Sequence, residues 1–228
     1  MNLFCVGISH RTANVAMRER FARKPAAALR TASGFEELLL LTTCNRVEVY
    51  AAATSPISTE AIAECLSREM VDRHLVDTAP FYRYEAEECV KHLFRVTSGL
   101  DSMVVGETEI LGQAKKAYAL AREEGRAGPY LHRLFQRAFR VAKQVRTHTQ
   151  ITRGAVSVGS VAVDLAEKIF GALHDRKVLV LGAGDTSEPT APALVSRGVH
   201  HLRSATRAEE RAPGLPGLVW GPRVPVAR

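Results

Sequence analysis

The sequence predicts an α/β protein in two parts: an N-terminal α/β domain, then a partial Rossmann-like nucleotide-binding domain. Three observations carry this. Short apolar or alternating runs of strand length interleave with longer runs at helical period. The stretch KVLVLGAGDTS, residues 177–187, is an apolar strand entering G-x-G-x-x-S, the place where a dinucleotide-binding βαβ unit carries its glycine turn. The chain has 228 residues, 46 % of them hydrophobic, and a mean hydropathy of −0.06. That suits one or two water-soluble cores and leaves no apolar run of membrane-spanning length.

Taken in order, LFCVGI (3–8) reads as a first strand, and SHRTANVAMRERFA turns into a helix that continues over 25–31 until Ser33-Gly34 breaks it. Residues 37–42 and 47–53 are two strands; in the second, Val47, Val49 and Ala51 alternate with Glu48 and Tyr50. TSPIST (54–59) leads into a helix over 59–72, and FYRY (81–84) is a short strand. A helix over 86–98 sets Val90, Leu93, Phe94 and Thr97 on one side, with His92 beside that stripe. SGLDSMVVGETE (98–109) is a loop, and a helix starting at Glu107 carries the stripe Ile110, Ala114, Ala117, Tyr118 and Ala121. Gly125 to Pro129 ends it. The next helix, 130–149, has the stripe Leu131, Leu134, Phe135, Ala138, Ala142 and Val145, with Arg133, Arg137 and Arg140 on a separate face. A further helix runs to about Gly171. The domain boundaries follow: 1–153, a connecting helix over 154–171, and 172–228, whose Pro- and Gly-rich tail from about 213 shows no periodicity.

Net charge is +7, a weak argument for a polyanionic partner by itself. Its distribution says more: no acid lies between Glu124 and Asp164, a window holding seven Lys or Arg residues. The four cysteines, Cys5, Cys44, Cys65 and Cys89, form no C-x-x-C and no zinc spacing, which suggests free thiols in the cytoplasm and no metal. The N-terminus lacks the basic start and long apolar run of a secretory signal.

Two segments carry candidate chemistry. In the glycine loop, Gly182 makes the tight turn and Gly184 lets the backbone approach a pyrophosphate at the helix N-terminus, while Ser187 takes the third glycine's place. Thr206 and Arg207 stand where an NAD site would show an acid, which favours a 2′-phosphate and NADP. The plain alternative is a strand-turn-helix with no ligand. Pro192 inside the following helix costs roughly 3 kcal/mol. In LLLLTTCNRVEVY (38–50), two strands meet at a junction holding one thiol. The thiolate is the nucleophilic form, and Arg46, two residues on, would favour it from the same face of an extended segment. The alternative is that Cys44 fills the core, as Cys5 does.

GISHRTA (7–13), LLLTTCNRVEVY (39–50), SGLDSMVVGETEILGQAKKAY (98–118), GAVSVGSVAVDLA (154–166) and VLVLGAG together resemble the motifs of glutamyl-tRNA reductase, in that family's order and over residues 1 to about 210. The resemblance implies a catalytic domain over 1–153 and a route to 5-aminolevulinate and porphyrins. The Cys44 thiolate attacks the ester joining glutamate to its tRNA, and hydride from NADPH releases glutamate-1-semialdehyde from the thioester. It implies that Thr43, Asn45 and Arg46 bind the glutamyl group, with Arg46 suited to a carboxylate. It assigns an activity-linked histidine to His92 and substrate contacts to Ser102, Glu107, Thr108, Glu109 and Gln113. The cofactor loop it implies is Gly182, Ala183, Gly184, Asp185, Thr186 and Ser187, with Arg207.

Each assignment has a plainer reading. His92 reads equally as a solvated or capping residue, Glu107 and Glu109 as acids favoured by a helix N-terminus, Ser102 as a turn former and Gln113 as a surface residue. Arg133, Arg137 and Arg140 are either a wet face or a strip that contacts tRNA phosphates. The family's homodimer is built by a helical dimerisation domain that this sequence lacks, and the tail from Pro213 reads as a truncated product or a shifted frame. Three functions are therefore open: the full reductase, a fragment that forms and hydrolyses the thioester, and a non-catalytic tRNA-binding remnant.

Overall fold

The computed structural model describes residues 1–22, 34–67, 80–153, 157–181 and 187–205. The expected helix over 25–31, the end of the 59–72 helix and the tail from 213 lie outside them. Two compact units emerge, Met1–Thr152 and Arg153–Arg228.

The first unit is built on four antiparallel strands in the order β2-β3-β1-β4: β1 (Asn2–Ser9), β2 (Glu37–Thr42), β3 (Arg46–Ala53) and β4 (Tyr82–Glu85). β1 and β3 pair over their full length, from Asn2 opposite Ala53 to Ser9 opposite Arg46. Helices cover both faces. On one side α1 (Val15–Ala22) and α2 (Thr59–Ser67) bury Phe21, Ile62 and Leu66 against Phe4, Val6, Ile8, Val47 and Val49. On the other, α3 (Ala86–Thr97), α4 (Glu109–Glu123) and α5 (Pro129–His148) bury Leu93, Ile110, Tyr118, Leu134 and Phe135 against Cys5, Leu39, Leu41 and Tyr50.

The alternation in β3 is real, but every residue of the strand is buried. Arg46, Glu48 and Tyr50 fall at i, i+2 and i+4, so they share one face, and that is the face carrying Tyr50 into the core under α3, α4 and α5. What looks in sequence like a polar outer face is a polar layer inside the molecule. Gly7 opposes Glu48 across the ladder. A Cβ there would come within 2.5 Å of the Val47 carbonyl and 2.8 Å of the Glu48 side chain, so only glycine lets this layer form at the strand spacing.

α5 starts at the Gly125–Pro129 break, with proline at the first turn. Its first N–H groups are met by a buried carboxylate from β2: Glu37 accepts from Tyr130 N at 3.0 Å and Leu131 N at 2.6 Å. α4 begins at Glu109, not at the expected Glu107. Glu107 instead stays in the preceding loop, where its carboxylate accepts a bond from Ser102.

In the second unit, α6 (Val158–Phe170) opens with a reciprocal Ser157–Ser160 capping box. It packs its Val163 with Ala191 and Leu194 of α7 (Ser187–Ser196). β5 (Lys177–Leu181) and β6 (His201–Ala205) pair in parallel, so β5-α7-β6 is a fragment of the βαβ kind that a Rossmann-like domain repeats. Helix α7 continues through Pro192. No helix among the described residues is long and apolar enough to cross a membrane.

Candidate active site at the β2–β3 turn

The turn between β2 and β3 is fixed by its own residues. Thr43 N donates to the Arg46 carbonyl at 2.9 Å, and the Thr43 hydroxyl accepts from both Asn45 N and Arg46 N at 3.1 Å. Such a local hydroxyl-backbone turn lifts Cys44 to the tip, where it is exposed. His10 N bonds the Asn45 carbonyl across the turn at 2.8 Å. From α1, Arg18 donates Nε to the Cys44 carbonyl at 3.2 Å and Nη1 to the Ala13 carbonyl at 2.5 Å.

Arg46 does not sit beside the thiol as a free cation. It is 1 % exposed and bonds Glu48 Oε1 through Nη1 at 2.8 Å. Through Nη2 it bonds Asp101, at 2.5 Å to the carbonyl and 3.2 Å to Oδ2. Its Nε, buried as well, has no hydrogen-bond partner among the described residues. Asp101 also pairs with Arg11 at 3.2 Å.

Glu48 is the hub of the polar layer. Its carboxylate accepts from Arg46, from Tyr50 Oη at 2.8 Å and from Tyr82 Oη at 2.5 Å, and it bonds His92 Nε2 at 2.8 Å. Burial alone would raise its pKa, but Arg46, His92 and Tyr82 reverse that and hold it well below the usual carboxylate range. Burial likewise works against the Arg46 charge, and Glu48 outweighs it, with Tyr82, Tyr50 and Asp101 adding to the effect. His92 is buried, not solvated: its ring stacks on Tyr84 at 4.5 Å, and its ring nitrogen bonds Glu48 rather than Cys44. Cys5, Glu48 and His92 bring potential ligand atoms within 4.8 Å of one another. A cation there would face the Arg46 guanidinium, already 2.8 Å from Glu48, and a Cys5 thiol pushed well up by burial and by Glu48. The donor set is that of a hydrogen-bonded core network.

Glu107 and Glu109, expected to contact substrate, both act electrostatically on the thiol. Shielding from water, then Glu107 and Glu109, push the Cys44 thiol up, while the turn's own hydrogen bonding and Arg18 pull it down. Glu107 is held by Ser102 Oγ at 3.0 Å, and Arg146 from the end of α5 bonds the Glu107 carbonyl at 3.1 Å and the Thr108 carbonyl at 3.4 Å. Thr108 is exposed and Gln113 half-buried. Gly182, Ala183, Gly184, Asp185, Thr186 and Arg207 lie outside the described residues, and Ser187 is described only as the first residue of α7.

Sequence reasoning missed Arg18, Glu48, Tyr82 and Asp101. Glu48 alone carried a signal, as a carboxylate two residues from an arginine on one strand face.

A second feature lies at the other end of the sheet. Arg133, Arg137 and Arg140 of α5 rim a groove of about 1120 Å³ floored by Leu3, Val90 and Phe94. All three arginines are exposed, and none has an ion pair among the described residues. Leu3 and Ser9 bracket β1, so the groove sits roughly 20 Å along the strand from the Cys44 turn. The C-terminal end of α5 returns to the turn through Arg146.

The model of the glutamyl-tRNA(Glu) reductase N-terminal domain family matches residues 6–149, and that of the shikimate / quinate 5-dehydrogenase family matches residues 164–219. A glutamyl-tRNA reductase of Akkermansia muciniphila is 44 % identical over 97 % of this chain and 67 % of its own length. One from Koribacter versatilis is 43 % identical over 99 % of this chain and 53 % of its own. The solved glutamyl-tRNA reductase of Methanopyrus kandleri superposes with a TM-score of 0.59 at 41 % identity, over 92 % of this chain and 50 % of its own. The chain thus spans between about half and two thirds of the length of these relatives.

Proposed function

The chain belongs to the glutamyl-tRNA reductase family, and from that premise we propose that it performs, through Cys44, the NADPH-dependent reduction of glutamyl-tRNA to glutamate-1-semialdehyde. The observation that carries the reading is the Cys44 turn itself: an exposed thiol on a tip fixed by Thr43 and Arg18, with two carboxylates, Glu107 and Glu109, acting on it. Core cysteines such as Cys5 and Cys89 are buried instead.

The residues divide the chemistry as follows. The Cys44 thiolate attacks the ester carbonyl carbon; the C–S bond forms, the C–O bond breaks, and the terminal ribose oxygen of the tRNA leaves and takes up a proton. Arg46 Nε faces a substrate carboxylate, and Glu107 and Glu109 face its ammonium group. Ser102 orients Glu107. Thr43, Asn45, Thr108 and Gln113 complete the wall of this pocket. His92 acts through Glu48, the carboxylate that holds Arg46, and so belongs to the positioning of the substrate arginine. The loop Gly182, Ala183, Gly184, Asp185, Thr186 and Ser187, with Arg207, would hold NADPH, and β5-α7-β6 supplies the parallel strand-helix-strand frame such a loop needs. NADPH, when bound, supplies the hydride that releases the aldehyde and returns Cys44 as thiolate. Arg133, Arg137 and Arg140 contact phosphates of the tRNA.

The test is a product assay with purified chain, glutamyl-tRNA and NADPH. Aldehyde that requires NADPH and vanishes in Cys44→Ser is the expected result. Free glutamate that likewise requires Cys44, with no aldehyde, would reduce the reading to thioester hydrolysis. Salt-dependent binding with neither product would leave a tRNA-binding remnant.

A further inference from the structure

We propose that Arg18 is the positioning residue of the Cys44 nucleophile: it clamps the turn that carries the thiol and presents to it the positive charge that Arg46 does not. The geometry is specific. Arg18 is 6 % exposed, and buried arginines are nearly always paired with a carboxylate. Here, among the described residues, its hydrogen bonds go instead to two carbonyls, those of Cys44 and Ala13, which ties α1 to a turn 26 residues away. The charge of Arg46 is matched by Glu48 and Asp101, and that of Arg11 by Asp101.

The other titratable groups around the turn do not substitute for Arg18. Loss of hydration, then the nearby Arg46, keeps His10 below its ordinary value, so it is neutral at physiological pH. Glu107 and Glu109 oppose the thiolate, and Arg18 favours it. A backbone clamp also explains why an arginine is used: its planar fork reaches two carbonyls at once, while the charge lies over the turn between them.

The inference rests on Cys44 as nucleophile, but its test needs neither tRNA nor cofactor, so the two can fail separately. The full chain is alkylated with iodoacetamide from pH 6 to 10, and the Cys44 peptide is followed by mass spectrometry, with circular dichroism as the control for folding. In Arg18→Gln, the rate at pH 7 is expected to fall about tenfold and the profile to move to higher pH, as loss of a nearby opposite charge predicts. Arg18→Lys, which keeps the charge, is expected to stay within about threefold of the parent. A folded Arg18→Gln with an unchanged profile would overturn the proposal. So would an Arg18→Lys that loses as much as Arg18→Gln, since that would make Arg18 a structural clamp only. If Arg18→Gln does not fold, Arg18→Lys decides alone.

Discussion

Two arginines bracket the Cys44 turn and serve different ends. Arg46 is locked by Glu48 and Asp101; Arg18 lies against the turn and holds it by its carbonyl. The thiol feels Glu107 and Glu109, which raise it, against Arg18, which lowers it. Because the thiol is pushed above its ordinary value, thiolate at neutral pH is a minor fraction, and alkylation should rise about tenfold per pH unit until the midpoint is passed. Glu107→Gln removes a carboxylate that raises the thiol while retaining an acceptor for Ser102. Its profile should move to lower pH, with a rate at pH 7 several-fold above the parent. A profile that does not move would show that Glu107 is too well solvated to matter. At this scale, the sequence placed Cys44 at a polar junction between two strands, but core filler and nucleophile stayed open there until the family resemblance favoured the nucleophile. Its electrostatic partner was not legible. Arg46 is two residues away in sequence, yet its side chain is claimed by Asp101, 55 residues on, and no local pattern records such a contact.

Elements were read well where their ends are chemical. Gly125 to Pro129 marked the break between α4 and α5, and Leu131, Leu134, Phe135, Ala138 and Ala142 of the expected stripe are the buried face of α5. They were read less well where tertiary contacts decide. Glu107 was expected inside α4, but its bond to Ser102 keeps it in the loop. The polar members of β3 gave no hint that α3, α4 and α5 would cover them, because alternation fixes which residues share a face and not whether that face meets water. The same dependence appears at the N-terminus of α5, where the cap comes from another element, Glu37 of β2. Glu37→Ala leaves two N–H groups without their partner, one of them buried, and removes an anion from the positive end of the helix. It should cost about 2 kcal/mol in urea unfolding. A loss under about 0.5 kcal/mol, the level of an ordinary surface change, would show that water replaces the carboxylate.

At the scale of the whole molecule, the charge of +7 has a focus. The rim of Arg133, Arg137 and Arg140 lies on a helix whose last turn reaches the Glu107 loop through Arg146. Binding of tRNA along α5 would therefore bring a polyanion from the groove towards the thiol. If the three arginines contact phosphates, replacing all three by alanine should lower the slope of log affinity against log salt by about 2 to 3. It should also leave Cys44 alkylation untouched. An unchanged slope would send the RNA elsewhere.

The central claim is that Cys44 forms a covalent bond to the glutamyl group, and it can be tested with the cofactor withheld. The chain is mixed with glutamyl-tRNA without NADPH, quenched in acid within seconds, and its peptides are weighed. The account predicts a glutamyl adduct on the Cys44 peptide alone, absent in Cys44→Ser, and cleared as aldehyde when NADPH is added before the quench. Aldehyde or glutamate formed by Cys44→Ser at the parent rate, or an adduct on another residue, would contradict it.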